Sequence, residues 1–87
     1  KEVGYVIAKM GVVRLTEIIA AEVKGEGVTA NVVLPSIIDT PANRRMMSSA
    51  DYSKWVPPEV IAATMRFLCS DAAAAINGSQ IPIYGAL

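Results

Sequence analysis

The sequence has 87 residues, of which 53% are hydrophobic and 18% charged, with no net charge and no histidine. A chain without net positive charge lacks the basic surface that binds nucleic acid, so we expect no nucleic-acid partner. Without histidine it has no histidine metal site, so we expect no bound metal. The apolar runs fall short of the roughly 18 residues of a membrane span, so we expect no membrane contact and no signal segment. The single thiol, Cys69, excludes an internal disulfide and is expected to be a buried helical thiol of a cytoplasmic protein.

A chain this short and this apolar would leave much of its apolar surface in contact with water as a monomer. The sequence also begins at Lys1, inside a predicted helix, rather than at a methionine. We therefore expect the chain to be one piece of a larger protein.

Residues 3–23 are predicted to form one long helix, because good helix formers are frequent, proline is absent, and Gly25 and Gly27 follow as stop signals. The apolar residues extend around more than one side of this helix instead of forming a single stripe. Such a helix is expected to be buried on more than one face, against a sheet and against another helix, for example from a second subunit.

Tyr5 and Lys9 lie four residues apart near the start of this helix, so helical geometry stacks them on one side. An ammonium group beside a phenol favours its ionised form, which suits such a pair to general acid and base chemistry. The same Y-x-x-x-K pair could also be an exposed aromatic ring and a solvated lysine without a catalytic role. The segments that follow must decide between the two interpretations.

Residues 28–34 form a nearly continuous β-branched apolar run, which predicts a strand buried on both faces in a parallel sheet. Within it, Asn31 is expected to be a satisfied structural amide. The loop from Pro35 to Pro41 leaves the carboxyl end of this strand, where open α/β sheets bind ligands. Asp39 and Thr40 are both suitable N-cap residues for a short helix over residues 42–49, with Pro41 at a first helical position. Thr40 is expected either in a capping role alone or also in contact with a phosphate.

Residues 46–55 mix methionine, aromatic and polar residues without a clear period. This favours either a mobile segment over a pocket or an irregular helix and loop that covers the core. A further helix is predicted over residues 57–70. Its inward face is expected to comprise Val60, Ile61, Thr64, Phe67 and Leu68.

A short alanine-rich continuation over residues 72–75 precedes an Asn-Gly turn and a last strand over residues 79–84. Pro82 cannot donate to a sheet ladder, which favours an edge position for that strand. The predicted order is therefore helix, strand, short helix, helix and strand, which is an α/β arrangement.

In this order, the segments resemble the C-terminal part of the short-chain dehydrogenase/reductase family over residues 4–85. Tyr5 and Lys9 match the family's Tyr-x-x-x-Lys motif. Residues 30–41 resemble its strand and nicotinamide-side loop, and residues 76–81 resemble the turn and strand that close its sheet. Two departures are that Ser36 stands where the family commonly has glycine, and that only the first of two frequent glycines is kept near the end of the chain.

The resemblance implies a C-terminal fragment of a Rossmann-type doubly wound parallel sheet, with residues 1–87 as part of a single domain whose nucleotide-binding half would precede them. It implies an oxidoreductase that moves a hydride between NAD or NADP and a small carbonyl or alcohol substrate. The family usually assembles as a homodimer or homotetramer, with the long helix as a contact.

The resemblance also assigns roles to individual residues. Tyr5 would exchange the proton with the substrate oxygen, and Lys9 would hold the ribose hydroxyls and favour ionisation of Tyr5. Main-chain groups of Ile38 would meet the carboxamide, with Thr40 near the carboxamide or the pyrophosphate. The cofactor-binding residues so implied are Tyr5, Lys9, Pro35, Ser36, Ile38 and Thr40, and residues 46–55 would be the substrate-binding lid.

The family's glycine-rich phosphate loop and its catalytic serine and asparagine would also lie before Lys1. We therefore expect the isolated 87 residues neither to bind the cofactor tightly nor to turn over. The alternative is a non-catalytic oligomerisation or binding module that kept the fold, in which Tyr5 and Lys9 are relics or packing residues.

Overall fold

The structure, a computed structural model, describes residues 2–86. Its regular elements are helix α1 (Glu2–Glu22), strand β1 (Val32–Pro35), helix α2 (Pro41–Met46), helix α3 (Pro58–Leu68) and strand β2 (Gln80–Ile83). This order confirms the predicted succession of helix, strand, short helix, helix and strand. None of the helices described is long and apolar enough to reach across a membrane.

Strands β1 and β2 are parallel neighbours, paired over their whole lengths. The Ser79 and Ile83 carbonyls accept the N–H groups of Val32 and Ser36, both at 3.0 Å. Since alternate residues of a strand direct their backbone groups to the same side, the nitrogen of Pro82 faces away from β1. Proline therefore removes no ladder bond from this sheet, which confirms the predicted edge position.

Strand β1 is only half-buried along its length. The prediction of a strand buried on both faces is therefore wrong for this chain, although the parallel pairing is confirmed. Alternate residues of β1 direct their N–H groups to β2, so the Val33 N–H points to the opposite edge of β1. No described strand covers that edge. A sheet of two strands is too narrow to enclose either of them.

Helix α1 has one buried residue, Ala20, and exposes large apolar side chains along its length. The exposed fraction is 69% for Val3, 66% for Met10 and 55% for Leu15. The small sheet cannot cover so long a helix, so the described residues leave most of α1 uncovered, and burial of its other face against a second subunit stays a prediction. The radius of gyration, 15.2 Å, correspondingly exceeds the ~12 Å of a compact domain of this length.

Two asparagine side chains connect the segment before β1 to the turn before β2, and one of them also reaches the end of α1. Asn77 accepts a hydrogen bond from the Ala30 N–H and donates one to the Ala20 carbonyl, both at 2.9 Å. Asn31 donates to and accepts from the backbone of residues 76–79, at 3.0 and 2.9 Å. Asn31 is thus the satisfied structural amide that the sequence predicts, and Asn77 returns the contact from the facing turn.

Helix α3 presents a narrower inward face than predicted. Ile61, Thr64 and Leu68 are half-buried, whereas Val60 and Phe67 are 46% and 48% exposed. The three half-buried residues follow a spacing of three and four, which places them on one stripe, and the two exposed residues lie at its margins.

The end of α3 also differs from the prediction. Cys69 is exposed and caps the helix, so the expectation of a buried thiol is wrong, because the helix ends one residue before it. The alanine-rich continuation is a single 3₁₀ turn, Asp71–Ala73, in which Ala73 is buried.

Val56 is 1% exposed and links three segments of the chain. Its N–H donates to the Ile37 carbonyl at 2.9 Å, and its own carbonyl accepts from the Asp39 N–H at 2.8 Å. On the other side, the Lys54 carbonyl accepts from the Ala86 N–H at 3.2 Å. This segment therefore lies between the loop after β1 and the C-terminal turn.

Gly85 permits that close approach at the C-terminal turn. Its φ of +64° is a left-handed conformation, and a Cβ atom at this position would lie 2.8 Å from the Lys54 carbonyl oxygen. Glycine avoids both the backbone strain and the clash.

Residues 46–55 form turns with defined side-chain contacts. The Tyr52 hydroxyl lies 3.1 Å from the carbonyl oxygens of Arg44 and Ser48. The Tyr52 ring lies 4.8 Å from that of Trp55, which is 5% exposed. These contacts match the predicted irregular helix and loop that covers the core, while mobility of the segment stays a prediction.

Arg44 joins this segment to the loop after β1. Its guanidinium group donates to both carboxylate oxygens of Asp39, at 2.7 and 2.9 Å, and lies 4.4 Å from the centre of the Tyr52 ring. The hydrogen bonds from Arg44 hold the pKa of the Asp39 carboxyl below its ordinary value, against a smaller opposing effect of desolvation.

Replacing Asn77 with alanine is expected to lower the free energy of unfolding by roughly 2–3 kcal/mol, because the Ala30 N–H and the Ala20 carbonyl lose their partners. Chemical denaturation of the folded protein measures this change. Ser49→Ala is the control, since Ser49 is exposed and its side chain makes no hydrogen bond within residues 2–86. Equal stability of the two variants would contradict the role given to Asn77.

Replacing Arg44 with glutamine is expected to raise the pKa of Asp39 towards its ordinary value, because the charged donor is removed. A carboxyl whose pKa is depressed in the folded state adds stability above its unfolded-state pKa and loses it as the pH falls through the folded-state value. Acidification through that range should therefore cost the wild-type protein more stability than the variant. NMR titration of the aspartate carboxyls measures the shift, and an identical Asp39 curve in both proteins would refute it.

Candidate active site

A cavity of about 350 Å³ lies between α1 and the carboxyl end of β1. Its lining consists of Tyr5, Lys9, Val12, Val13, Val32, Val33, Leu34, Pro35, Ser36 and Ile38. The structure therefore brings together five of the six residues that the sequence assigns to the site, and it leaves out Thr40. Lys9 is the one charged side chain in this lining, so the cavity favours negative charge on a bound group.

Tyr5 and Lys9 lie one helical turn apart on α1 and line the same cavity. The Lys9 ammonium nitrogen is 5.4 Å from the centre of the Tyr5 ring. Tyr5 is 65% exposed, and its hydroxyl has no hydrogen-bond partner among residues 2–86. The hydroxyl is therefore accessible to a ligand and lies beside a positive charge.

The apolar wall of the cavity is a feature that the sequence analysis did not assign. It comprises Val12 and Val13 on α1 and residues 32–34 on β1. Val12 and Val13 follow Lys9 by three and four residues, so helical spacing could have placed them on the same side of α1. An apolar wall facing one cationic group is typical of pockets for small organic ligands.

Ser36 ties the loop after β1 to the end of β2. Its hydroxyl donates to the Tyr84 carbonyl at 2.7 Å, and its N–H donates to the Ile83 carbonyl at 3.0 Å. The serine that replaces a common glycine of the resembled family thus uses its hydroxyl in a structural bond. Ser36 is also one of the residues that line the cavity.

Ile38 is held at the rim of the cavity by a single parallel bridge to Val56. The bridge uses the backbone groups of the residues on either side of Ile38. The backbone groups of Ile38 itself therefore point away from Val56.

Thr40 serves as the N-cap of α2. Its side-chain oxygen accepts the Asn43 N–H at 3.2 Å, and Pro41 occupies the first helical position, as predicted. Thr40 does not line the cavity that holds Tyr5, so the structure supports its capping role.

The segment of residues 46–55 does not line this cavity in the described part of the chain. In this structure the segment covers the core rather than this cavity, and its role as a substrate-binding lid stays a prediction. Trp55 turns into the core, and Met46 is 80% exposed. The side chains that were expected to face a substrate thus divide between the core and the surface.

A larger cavity, of about 540 Å³, lies at the amino end of β1 and shares no lining residue with the first. Its polar lining includes Lys24, Thr29 and Ser70. Ligands of parallel sheets sit at the carboxyl ends of strands, so the smaller cavity is the candidate site.

Comparison with known proteins places these features in one family. A family model described as enoyl-(acyl carrier protein) reductase matches residues 1–85. The D-threitol dehydrogenase of Mycolicibacterium smegmatis is 34% identical over 98% of this chain and 36% of its own length. The 3-oxoacyl-[acyl-carrier-protein] reductase of Synechocystis is 33% identical over 99% of this chain and 37% of its own length. The chain thus spans little more than a third of these relatives.

Solved structures agree with the sequence comparison. A 4-hydroxyisoleucine dehydrogenase in complex with NADH has a TM-score of 0.76 and 32% identity, over 93% of this chain and 36% of its own. A short-chain type dehydrogenase/reductase from Mycobacterium ulcerans has a TM-score of 0.82 and 28% identity, over 92% of this chain and 33% of its own. The resemblance seen in the sequence is therefore confirmed, and this chain belongs to the short-chain dehydrogenase/reductase family, to whose C-terminal portion it corresponds.

Proposed function

We propose that the protein containing this chain is an NAD(P)-dependent oxidoreductase in which Tyr5 and Lys9 form the acid–base pair. Its substrate would be a small carbonyl compound or the corresponding alcohol. The observation that carries the proposal is that Tyr5, Lys9 and the loop after β1 line one cavity, with the Lys9 ammonium nitrogen 5.4 Å from the centre of the Tyr5 ring. Relatives named as dehydrogenases and reductases support it.

In this proposal the Tyr5 hydroxyl donates a proton to the carbonyl oxygen during reduction and takes it back from the alcohol during oxidation. The positive charge of Lys9 stabilises the phenolate that this exchange creates. The same ammonium group has three donors, enough to bind ribose hydroxyls as well. An exposed phenol without a partner in the described chain fits the first task.

The lining residues fit the nicotinamide end of NAD or NADP. The cavity volume, about 350 Å³, falls within the ~300–1,000 Å³ of small-molecule sites. Its valine wall suits a flat ring, and Pro35, Ser36 and Ile38 bring main-chain groups to its rim. When bound, the dinucleotide supplies or accepts the hydride. A structure solved with NADH among the similar proteins supports this assignment.

We also propose that groups outside this chain complete the site. The relatives are nearly three times as long as the chain, and the described residues expose a large apolar surface on α1. A phosphate-binding loop and further catalytic side chains would come from the rest of the protein. A homodimer or homotetramer would cover part of the apolar surface of α1.

Replacing Tyr5 with phenylalanine in the full-length protein is expected to lower kcat at least ~10²-fold, because the proton donor is lost. Stability should be unchanged, since the hydroxyl is exposed and unpaired among residues 2–86. Absorbance of the reduced nicotinamide, followed with a panel of small carbonyl compounds and alcohols, measures the rate. Tyr84→Phe is the matched control, because Tyr84 is also exposed but lies outside the cavity.

Full activity of the Tyr5→Phe variant would exclude Tyr5 as the acid–base group. It would then favour the alternative of a non-catalytic binding or oligomerisation module. Loss of activity in both tyrosine variants would point to a general effect on folding, which denaturation curves of the two proteins would reveal.

The isolated 87-residue chain is expected to show no turnover and no tight dinucleotide binding, because it would lack the phosphate-binding part of the site. Calorimetric titration with NADH and NADPH, in parallel with the full-length protein, measures this. Equal affinity of the two proteins would mean that the described residues suffice for binding.

A further inference from the structure

Arg44 contacts three segments of the chain that meet beside the candidate site. It belongs to α2, and its guanidinium group donates to both carboxylate oxygens of Asp39 in the loop after β1, at 2.7 and 2.9 Å. The same group lies 4.4 Å from the centre of the Tyr52 ring, and the Tyr52 hydroxyl lies 3.1 Å from the Arg44 carbonyl oxygen. One residue therefore connects the loop, α2 and the 3₁₀ turn of residues 52–54.

These contacts form a network that reaches the core. An exposed ion pair contributes little to stability unless its geometry is bidentate or it belongs to a network of contacts. The Arg44 guanidinium satisfies both conditions, because it binds the carboxylate through two N–H groups and also packs on an aromatic ring. Tyr52 is half-buried, and its ring packs in turn on that of Trp55, which is 5% exposed. The network is therefore anchored on buried groups at one end.

Between α2 and the 3₁₀ turn, the backbone is held by fewer hydrogen bonds. The Met47 N–H donates into α2 at 3.0 Å, and the Ala50 N–H donates to the Met47 carbonyl at 3.1 Å. The N–H groups of Ser48 and Ser49 have no acceptor within residues 2–86. Exposed backbone with few bonds and few buried contacts opens at low cost. Ser48 and Ser49, called the tip below, are therefore the weakly held part between two anchored parts.

We propose that Arg44 holds the loop after β1, α2 and the 3₁₀ turn together as one unit, so that free motion is confined to the tip. A closing motion of residues 46–55 over the Tyr5 cavity is then limited to the tip as long as Arg44 stays bound to Asp39. A larger motion requires the bond between Arg44 and Asp39 to break. This conformational property goes beyond the proposed function and does not depend on it.

The other contacts of α2 do not reach the 3₁₀ turn. The Asn43 side chain donates to the Ile38 carbonyl at 2.8 Å, and the Thr40 side chain caps α2, so both connect the helix to the loop alone. Within the described residues, the side-chain hydrogen bond between the turn and α2 is the one from Tyr52 to the Arg44 carbonyl. Removal of the Arg44 guanidinium should therefore loosen the turn and leave α2 attached to the loop.

Hydrogen exchange of backbone amides in the full-length protein, without dinucleotide, tests this proposal. After correction for intrinsic rates, the Trp55 N–H, which donates to the Tyr52 carbonyl at 3.0 Å, should exchange at least about tenfold more slowly than the N–H groups of the tip. Arg44→Gln should accelerate exchange at Trp55 about fivefold, because the turn loses both the charged donor and the stacked group. Exchange at Met47 should stay within about twofold of wild type, since the other contacts of α2 remain.

Two further variants separate the network from a simple effect of charge. Arg45→Gln is the matched control, since Arg45 is exposed on the same helix and makes no ion pair within the described residues, and its rates should match those of wild type. Arg44→Lys keeps the charge but loses the planar group that binds in a bidentate manner and stacks on the ring. Its exchange at Trp55 should therefore be closer to that of Arg44→Gln than to that of wild type.

Three results would overturn the proposal. The first is exchange at Trp55 in the wild-type protein as fast as at the tip. The second is an unchanged rate at Trp55 in Arg44→Gln, or wild-type rates in Arg44→Lys. The third is an equal acceleration throughout the chain in Arg44→Gln, since that would mean a general loss of stability. None of these results bears on dinucleotide binding, so a failure of this proposal is distinct from a failure of the proposed function.

Discussion

The pairing of Val56 with the loop after β1 is the interaction on which the candidate site depends. That loop leaves the sheet at its carboxyl end, where its backbone groups would otherwise need water or a ligand as partners. Val56 supplies both a donor and an acceptor to it, at 2.9 and 2.8 Å, from a position that is 1% exposed. Its burial shields these bonds from water, which fixes Ile38 at the rim of the cavity.

The other half of the site depends on α1, which holds Tyr5 and Lys9 by helical geometry alone. Helix α1 packs loosely on the two strands, and the cavity exists because the helix stands away from β1. The positions of the loop and of α1 therefore have different causes. The loop is fixed within the chain, whereas the final depth of the cavity depends on what covers α1 and the open edge of β1.

Features set by local geometry could be predicted from the sequence. The neighbourhood of Tyr5 and Lys9 follows from their spacing, and the cap at Thr40 follows from its side chain and the proline after it. The burial of a residue could not be predicted, because it depends on atoms outside its own segment. For this reason the predicted burial of Cys69 and of both faces of β1 was wrong. The side-chain bonds of Asn77 could not be predicted either, because a single amide that bonds to distant backbone groups leaves no periodic pattern.

The location of the dinucleotide site can be mapped directly. NADH and NADPH are added to the isotopically labelled full-length protein, and backbone amide shifts are followed by NMR. If the dinucleotide binds in the Tyr5 cavity, the largest changes are expected at Tyr5, Lys9 and Ile38, with little change around Lys24 and Ser70 in the cavity at the amino end of β1. Changes confined to that second cavity, or no change at Ile38, would contradict the assignment of the site.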